Sequence, residues 1–393
     1  MKTKLLFLLF LFIDLLMLSY EASTLSISYH EAKLLYSQTT FTHYFITFFL
    51  DNYGYSDQVF RNIMIVLHIL TVLLFYKISK PYVSRGKDRL WLIVIFMLLP
   101  GTISSALLVD VTGIVMLLLF LYIYVFQNFR KYHFLLLVTF VLVDISFAFL
   151  YLGIFFFALS RKSIKLLLGS TLLFALTLYI HGFNTSGTPE GHFLDTLGIY
   201  IGIFSPIVFI YIFYILYKQL FTKNRDLLWY IAVTALTFSL LLSFRQRIEV
   251  QMFAPFVMLA IPLATKSFFN SYRVRLKEFR KKYKTIFFIS FLLLIINALV
   301  LMFNQQLYGY TVPQKHFAYR VHVAKELAGE LQKRKIECID MNSNQMQIRL
   351  KFYDIELCDR YIMLNKEIAK SDSVTIRYND KIVYQKYVSK VHK

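Results

Sequence analysis

The chain has 393 residues, of which 58% are hydrophobic, 18% aromatic and only 17% charged. A soluble domain carries roughly 45–50% apolar and about 25% charged residues, so this composition excludes a soluble enzyme, a disordered chain and a secreted disulfide scaffold. The net charge of +20 reads in such a chain as lysine and arginine in cytoplasmic loops, and nucleic acid is not expected as a partner.

The first residues, MKTK followed by Leu5–Tyr20, have the basic start and apolar centre of a signal peptide. Asp14 interrupts the run and no small-x-small cleavage site follows, so it reads as an uncleaved first span. A long loop, Glu21–Gln58, comes next. Within it FTHYFITFFLDNYGY spaces Phe41, Tyr44, Phe45, Phe48 and Phe49 at helical intervals. That pattern suits an amphipathic helix lying in the membrane interface, or equally one packed against the bundle. Further spans are expected near 60–77, 91–108, 112–127, 164–182, 197–217, 227–244, 250–268 and 285–304.

The segment from His133 to Ser160 reads either as one long helix or as two short helices turning at Asp144. Charge decides for the hairpin. With eleven spans and a cytoplasmic N-terminus, 23 of the 27 Lys and Arg of residues 1–304 fall inside, as the positive-inside bias requires. Lys33, Arg61, Arg245 and Arg247 are left outside, together with most of the acids. One long helix would reverse every later loop. The basic run YRVRLKEFRKKYK reads as an anchor to lipid headgroups on the inner face.

Composition breaks near residue 305. Residues 305–393 read as a soluble α/β domain on the outer, periplasmic face, with an amphipathic helix over His316–Lys335 and strands in IECIDM, RYIML and SVTIRYNDKIVYQKY. A hairpin is expected at Asn379-Asp380. Both cysteines, Cys338 and Cys358, lie here, and a disulfide and two buried thiols are equally compatible with the sequence. The expected fold class is therefore a polytopic α-helical membrane protein with about eleven transmembrane helices in 1–304 and a small extracytoplasmic α/β domain in 305–393.

The acids and isolated bases of the outer face are the candidates for chemistry. In SYHEAKLLY, Glu31 shares a helix turn with His30 and Tyr36 and has the position of a general base, although an acid at a helix start is also simply favoured by the helix dipole. Asp110 is the second candidate, with helix capping as its structural alternative. His181, Glu190, His192 and Asp195 crowd one outer loop as acceptor or divalent-cation ligands, but their spacing matches no metal motif and no cofactor is required. Asn184-Thr185-Ser186 is a formal sequon of little weight. Asp14 and His68 fall inside spans, where ionisable side chains mark function or a hydrogen-bonded packing role. The chain has no Walker loop, no dinucleotide fingerprint and no Ser-His-Asp signature.

These features resemble the GT-C membrane glycosyltransferases, most nearly the aminoarabinose transferase and protein O-mannosyltransferase branch. The resemblance rests on a first span followed by an outer loop with His30-Glu31-Ala32 and Tyr36, where that branch reads Asp-Glu-Ala with an aromatic soon after. It extends to Arg61 opening the second span, to LLPGTISSALLVDVTGIVMLL with Asp110, to LLSFRQRIEVQMFAPFVMLAIPLA, and to IECIDMNSNQMQIRLKFYDIELC in the tail. It implies a bacterial inner-membrane enzyme that moves a sugar from a polyprenyl-phosphate donor to an extracytoplasmic lipid, glycan or protein acceptor, with inversion. An outer-loop carboxylate, Glu31, is then the base, with His30 or Asp110 as substitutes. Arg245, Arg247 and Arg61 are candidates for the lipid phosphate, since arginine binds it with a bidentate fork; pairing with Glu249 or lipid headgroups is the alternative for Arg245 and Arg247. His30 departs from the branch, whose first acid of the pair is commonly the base. Two other readings remain. An O-antigen polymerase or ligase typically carries one large late outer loop, whereas the late loops here are short. A transporter or flippase favours repeats and Gly/Pro-broken helices, against 13 Gly, 7 Pro and no visible repeat.

Overall fold

The structure, a computed structural model, describes residues 2–129, 133–182, 191–222, 225–367 and 371–391. In chain order, α1 (Lys2–Thr24) leads through an extended stretch to α2 (Tyr29–Ser37) and α3 (Phe41–Tyr53). Then come α4 (Asp57–Ile78), α5 (Gly86–Leu98), α6 (Pro100–Leu107), α7 (Val111–Asn128), α8 (His133–Phe140) and α9 (Phe147–Ser160). The apolar part continues with α10 (Ile164–His181), α11 (Phe193–Phe204), α12 (Pro206–Gln219), α13 (Leu227–Ser243), α14 (Ala254–Met258), α15 (Ala260–Val274) and α16 (Lys277–Met302). The tail holds α17 (Ala324–Lys333), β1 (Asp340–Met341), α18 (Asn344–Lys351), β2 (Tyr361–Leu364), β3 (Asp372–Tyr378) and β4 (Lys381–Lys390).

Among the described residues, five helices are long and apolar enough to cross a membrane: α1 from Thr3, α4, α7, α10 and α16. The bent pairs α5–α6 and α11–α12 raise the number to seven if each is one span. The chain is thus a helical integral membrane protein. Two of the expected spans, 91–108 and 197–217, are not straight: α5 and α6 meet at 60° and α11 and α12 at 107°. Each break precedes a proline, which has no N–H for the helical ladder and pushes the residue before it out of the helical region. Leu99 before Pro100 is extended, and Ser205 before Pro206 sits at φ 67°.

Residues 133–160 form the expected turn. Asp144 accepts a bond from the Ser146 N–H at 2.8 Å, and the Tyr151 hydroxyl donates to the Leu137 carbonyl at 2.7 Å. Fourteen residues of straight helix would hold those groups about 21 Å apart, so the chain reverses here.

Chain contacts divide the molecule into two compact units, with the boundary running through α1, α4 and α16. The first comprises Met1–Leu15, Val66–Ala106 and Val111–Ala298. Its core is aromatic: Phe75 stacks on Phe96 and Phe120 at 4.2 and 5.1 Å between ring centroids. The α9 helix approaches α13 so closely that a Cβ on Gly153 would lie 2.8 Å from the Ile231 backbone. Within the apolar helices Asp14 Oδ2 and His68 Nε2 meet at 2.8 Å, both buried.

The second unit comprises Leu16–Ile65, Leu107–Asp110 and Leu299–Lys393. Its sheet runs β1-β2-β4-β3, with β1 and β2 parallel and the other neighbours antiparallel. Asn379 and Asp380 take positive φ values of 46° and 61°, the left-handed pair that makes a tight hairpin turn. Leu327, Leu331, Leu350, Val374 and Ile376 fill the core. The helix expected over His316–Lys335 is shorter. Only Ala324–Lys333 is α-helical, preceded by 3-10 turns at Pro313–Lys315 and Tyr319–Val321, and Phe317 is exposed. His316 and His322 instead pack around the buried ring of Tyr308, at 4.0 and 5.6 Å between centroids. Cys338 and Cys358 are joined in a disulfide.

On α3 the buried stripe is Thr42, Ile46 and Leu50. The aromatics form a ladder on the other faces, Phe45 lying 5.2 Å from Phe49, and Phe41, Tyr44 and Phe48 are exposed.

Candidate functional site

The site is built on the turn that opens α2. Ser28 and Glu31 have the spacing at which an N-cap hydroxyl and a third-position carboxylate satisfy each other's backbone. Both bonds form: the Ser28 hydroxyl accepts from the Glu31 N–H at 3.2 Å, and Glu31 Oε2 accepts from the Ser28 N–H at 2.7 Å. This fixes the Glu31 side chain, which is 2% exposed.

Arg61, in the first turns of α4 and fully buried, completes the arrangement. Its Nη1 reaches Glu31 Oε1 at 3.1 Å and its Nη2 reaches Oε2 at 3.3 Å, the two-pronged fork for which the guanidinium is suited. The same nitrogens donate to the backbone carbonyls of Leu107 and Ser26. The Val109 N–H adds a further bond to Glu31 Oε1 at 2.8 Å. A carboxylate offers roughly four lone-pair positions, and the donors to Glu31 are four: Ser28 N, Val109 N and both ends of the Arg61 fork. Such a carboxylate has little capacity left to take a proton from an acceptor hydroxyl. Arg61 likewise has both terminal nitrogens committed, and its buried Nε has no partner among the described groups.

The other sequence candidates lie as follows. His30, next to Glu31 on α2, is exposed, with its ring 5.8 Å from that of Tyr29. Asp110 is half-buried and directly follows the Val109 whose N–H binds Glu31. Arg245 and Arg247 are exposed in the turn after α13, and no described carboxylate pairs with either. Glu249 instead accepts from Gln251 at 3.5 Å. His181 ends α10, and its Nε2 lies 2.9 Å from the Val141 carbonyl. His192 faces Asp195 at 3.4 Å. Glu190 and the 184–186 sequon lie outside the described residues. No three of His, Cys, Asp or Glu come together as a metal site among the described residues.

Sequence reasoning missed the residues that hold the turn from the tail. Arg349, 6% exposed, donates from Nε to the Ile27 carbonyl at 2.7 Å. Its Nη2 reaches the Ser26 hydroxyl at 3.1 Å and the His322 carbonyl at 2.7 Å. Tyr353 accepts from the Ile27 N–H at 3.1 Å and donates to Asp57 at 2.8 Å. Burial, with the Asp57 carboxylate beside it, pushes the Tyr353 hydroxyl well above the usual tyrosine range and keeps it a donor. The Ser26 N–H donates to the Val321 carbonyl at 2.9 Å. Below this, Asn304 donates to Glu21 and receives His322 Nε2 at 2.5 Å. Desolvation, helped by the nearby His316, Arg61 and Arg349, lowers the His322 pKa to about 3. The apolar residues around Arg349 in NQMQIRLK alternate at Met346, Ile348 and Leu350, a local pattern that marks an element and not its partner.

No protein-family model matches the chain, and neither does any curated protein sequence. Among solved structures, the crystal structure of apo ArnT from Cupriavidus metallidurans superimposes with a TM-score of 0.50 at 12% identity, over 81% of this chain and 74% of that one. At that identity the likeness is one of fold, and it agrees with the resemblance drawn from the motifs. Over that span the chain shares its overall fold with ArnT.

Proposed function

We propose that the protein is an inner-membrane glycosyltransferase that moves a sugar from polyprenyl phosphate to an acceptor on the outer face. The observation that carries this reading is the fold shared with ArnT. Because fold alone does not set chemistry, the roles are argued from the site. An acceptor hydroxyl attacks the anomeric carbon, the bond from that carbon to the phosphate oxygen breaks, and polyprenyl phosphate leaves with its electron pair. The hydroxyl proton passes to a base on the enzyme. Glu31, with four donors on its oxygens, is suited to holding the turn and not to taking that proton. We assign the base to His30, exposed one residue away, whose imidazole nitrogen can accept a proton. Asp110 is the second choice.

Arg61 is enclosed and committed to Glu31, so the phosphate role goes to Arg245 and Arg247, whose exposed guanidinium groups can meet developing charge on the leaving oxygen. His181 and His192 are assigned to the acceptor side. The orientation we propose has the N-terminus in the cytoplasm and the tail in the periplasm. The α8–α9 hairpin returns the chain to its starting side, whether its helices count as two of eleven spans or as one re-entrant loop. The Cys338–Cys358 disulfide supports an oxidising compartment for the tail.

The test is transfer from a panel of radiolabelled polyprenyl-phosphate sugars in membranes containing matched amounts of each variant. Label should reach an acceptor with the wild type. His30→Gln should lower transfer by about 10²–10⁴-fold, the range for loss of a general base. Transfer that survives His30→Gln and is lost in Asp110→Asn moves the base to Asp110. No transfer from any donor overturns the reading.

A further inference from the structure

The disulfide joins Cys338 to Cys358 and closes a loop that contains both Arg349 and Tyr353. Those two side chains are the ones that grip residues 26 and 27, immediately before the Ser28–Glu31 cap. Among the described residues the extended stretch 25–28 lies in no sheet, so its backbone groups need partners elsewhere. From the first loop and α4 they receive Arg61 on the Ser26 carbonyl and Glu31 on the Ser28 N–H. From the tail they receive Val321 on the Ser26 N–H, Tyr353 on the Ile27 N–H and Arg349 on the Ile27 carbonyl. Ser26 is therefore held between two buried arginines, Arg61 on its carbonyl and Arg349 on its hydroxyl. Tyr353 also reaches Asp57, at the start of the helix that supplies Arg61. On the same side, Lys351 lies 4.6 Å over the Tyr36 ring of α2.

We infer that Arg349 and Tyr353 are positioning residues for the outer-loop site, and that the Cys338–Cys358 disulfide braces the segment that presents them. This rests on the glycosyltransferase reading for its consequence in transfer, but the clamp itself is a statement about the 25–31 backbone. Neither residue is placed in contact with substrate. They act through the turn that sets the direction of His30 and Glu31.

The test uses the full-length protein in nanodiscs and two readouts. The first is amide hydrogen exchange at residues 26–28, compared with β3 and β4 as an internal control. Tyr353→Phe keeps the ring and removes the hydroxyl, and Cys338→Ser with Cys358→Ser opens the brace. Each should speed exchange at 26–28 by about tenfold, the equivalent of one net hydrogen bond, with β3–β4 unchanged. Arg349→Ala should do the same, and Arg349→Lys should restore part of the protection. The second readout is steady-state transfer, in which kcat should fall about tenfold or more while the donor KM stays within about twofold, since the donor's phosphate is held elsewhere.

Unchanged exchange at 26–28 in Tyr353→Phe and in the double serine variant overturns the clamp. Faster exchange with unaltered kcat overturns the positioning role. A fall confined to folded yield, with normal kcat in the surviving protein and no rescue by lysine, does so as well. A wild type that transfers no sugar defeats the glycosyltransferase reading alone, because the exchange arm still decides the clamp.

Discussion

Two buried pairs of opposite polarity, Asp14–His68 in the first unit and Glu31–Arg61 in the second, are built differently. Asp14 and His68 meet through one contact of 2.8 Å, on two helices long enough to span the membrane. Glu31 and Arg61 meet through a fork and are each bonded further to backbone groups at Ser26, Ser28, Leu107 and Val109. The cost of burying charge is offset only where the remaining lone pairs and protons also find partners. The second pair meets that condition and thereby ties three separate stretches of chain together. The first joins only two helices, which apolar packing alone can also join.

The largest expected effect that separates the pairs is that of Arg61→Ala. It strands a buried carboxylate and should destabilise the protein by about 3–5 kcal/mol, read as a loss of folded yield or a large drop in melting temperature in detergent. Glu31→Gln should cost less in stability than Arg61→Ala, because an amide oxygen still accepts from Arg61. A Glu31→Gln variant as unstable as Arg61→Ala would mean that one oxygen with two of the four bonds is not enough to hold the turn.

Acidification gives the next effect. His322 has a folded pKa of about 3, well below the usual histidine value of about 6.5, so the unfolded chain binds its proton first. Its contribution is complete above about pH 6.5 and is lost as pH falls towards 3. Between pH 7 and pH 5 the loss should be about 1–2 kcal/mol, and His322→Gln should flatten that slope in a melting series. The smallest effect belongs to the first pair. Asp14→Leu with His68→Leu should change the melting temperature by a few degrees at most, since apolar replacement of a buried pair is often neutral or stabilising. A collapse of the double variant, with transfer retained in Asp14→Asn, would give the pair a structural weight that its single bond does not suggest.

Much of the fold was legible in the sequence because it depends on composition and short-range pattern. The reversal at Asp144 followed from charge, and the hairpin at Asn379-Asp380 from residues that accept left-handed backbone. The breaks at Leu99–Pro100 and Ser205–Pro206 were signalled by their prolines, yet hydropathy averaged across them into continuous spans. Of the candidate site, Glu31 and Arg61 were legible as an acid and a base on the outer face, but not as partners of each other. Nothing in the residues around Arg349 points to Ile27, which lies 322 positions earlier. The 3-10 turns before α17 were missed because the apolar spacing from Phe317 to Leu331 satisfies a helix, while packing of His316 and His322 on Tyr308 favours tighter turns.

The grip of the tail on residues 26–28 also orders the birth of the molecule. The Ser28–Glu31 cap can close as soon as that segment leaves the ribosome, and Arg61 arrives 30 residues after Glu31. Val321, Arg349 and Tyr353 are made close to 300 residues later or more. Until they arrive, two buried-to-be backbone groups of Ile27 have no partner, so the outer loop waits half-finished while some 300 further residues are made. A chain cut short before Val321 therefore carries every candidate reactive side chain and still lacks the tail's hold on the turn that aims them.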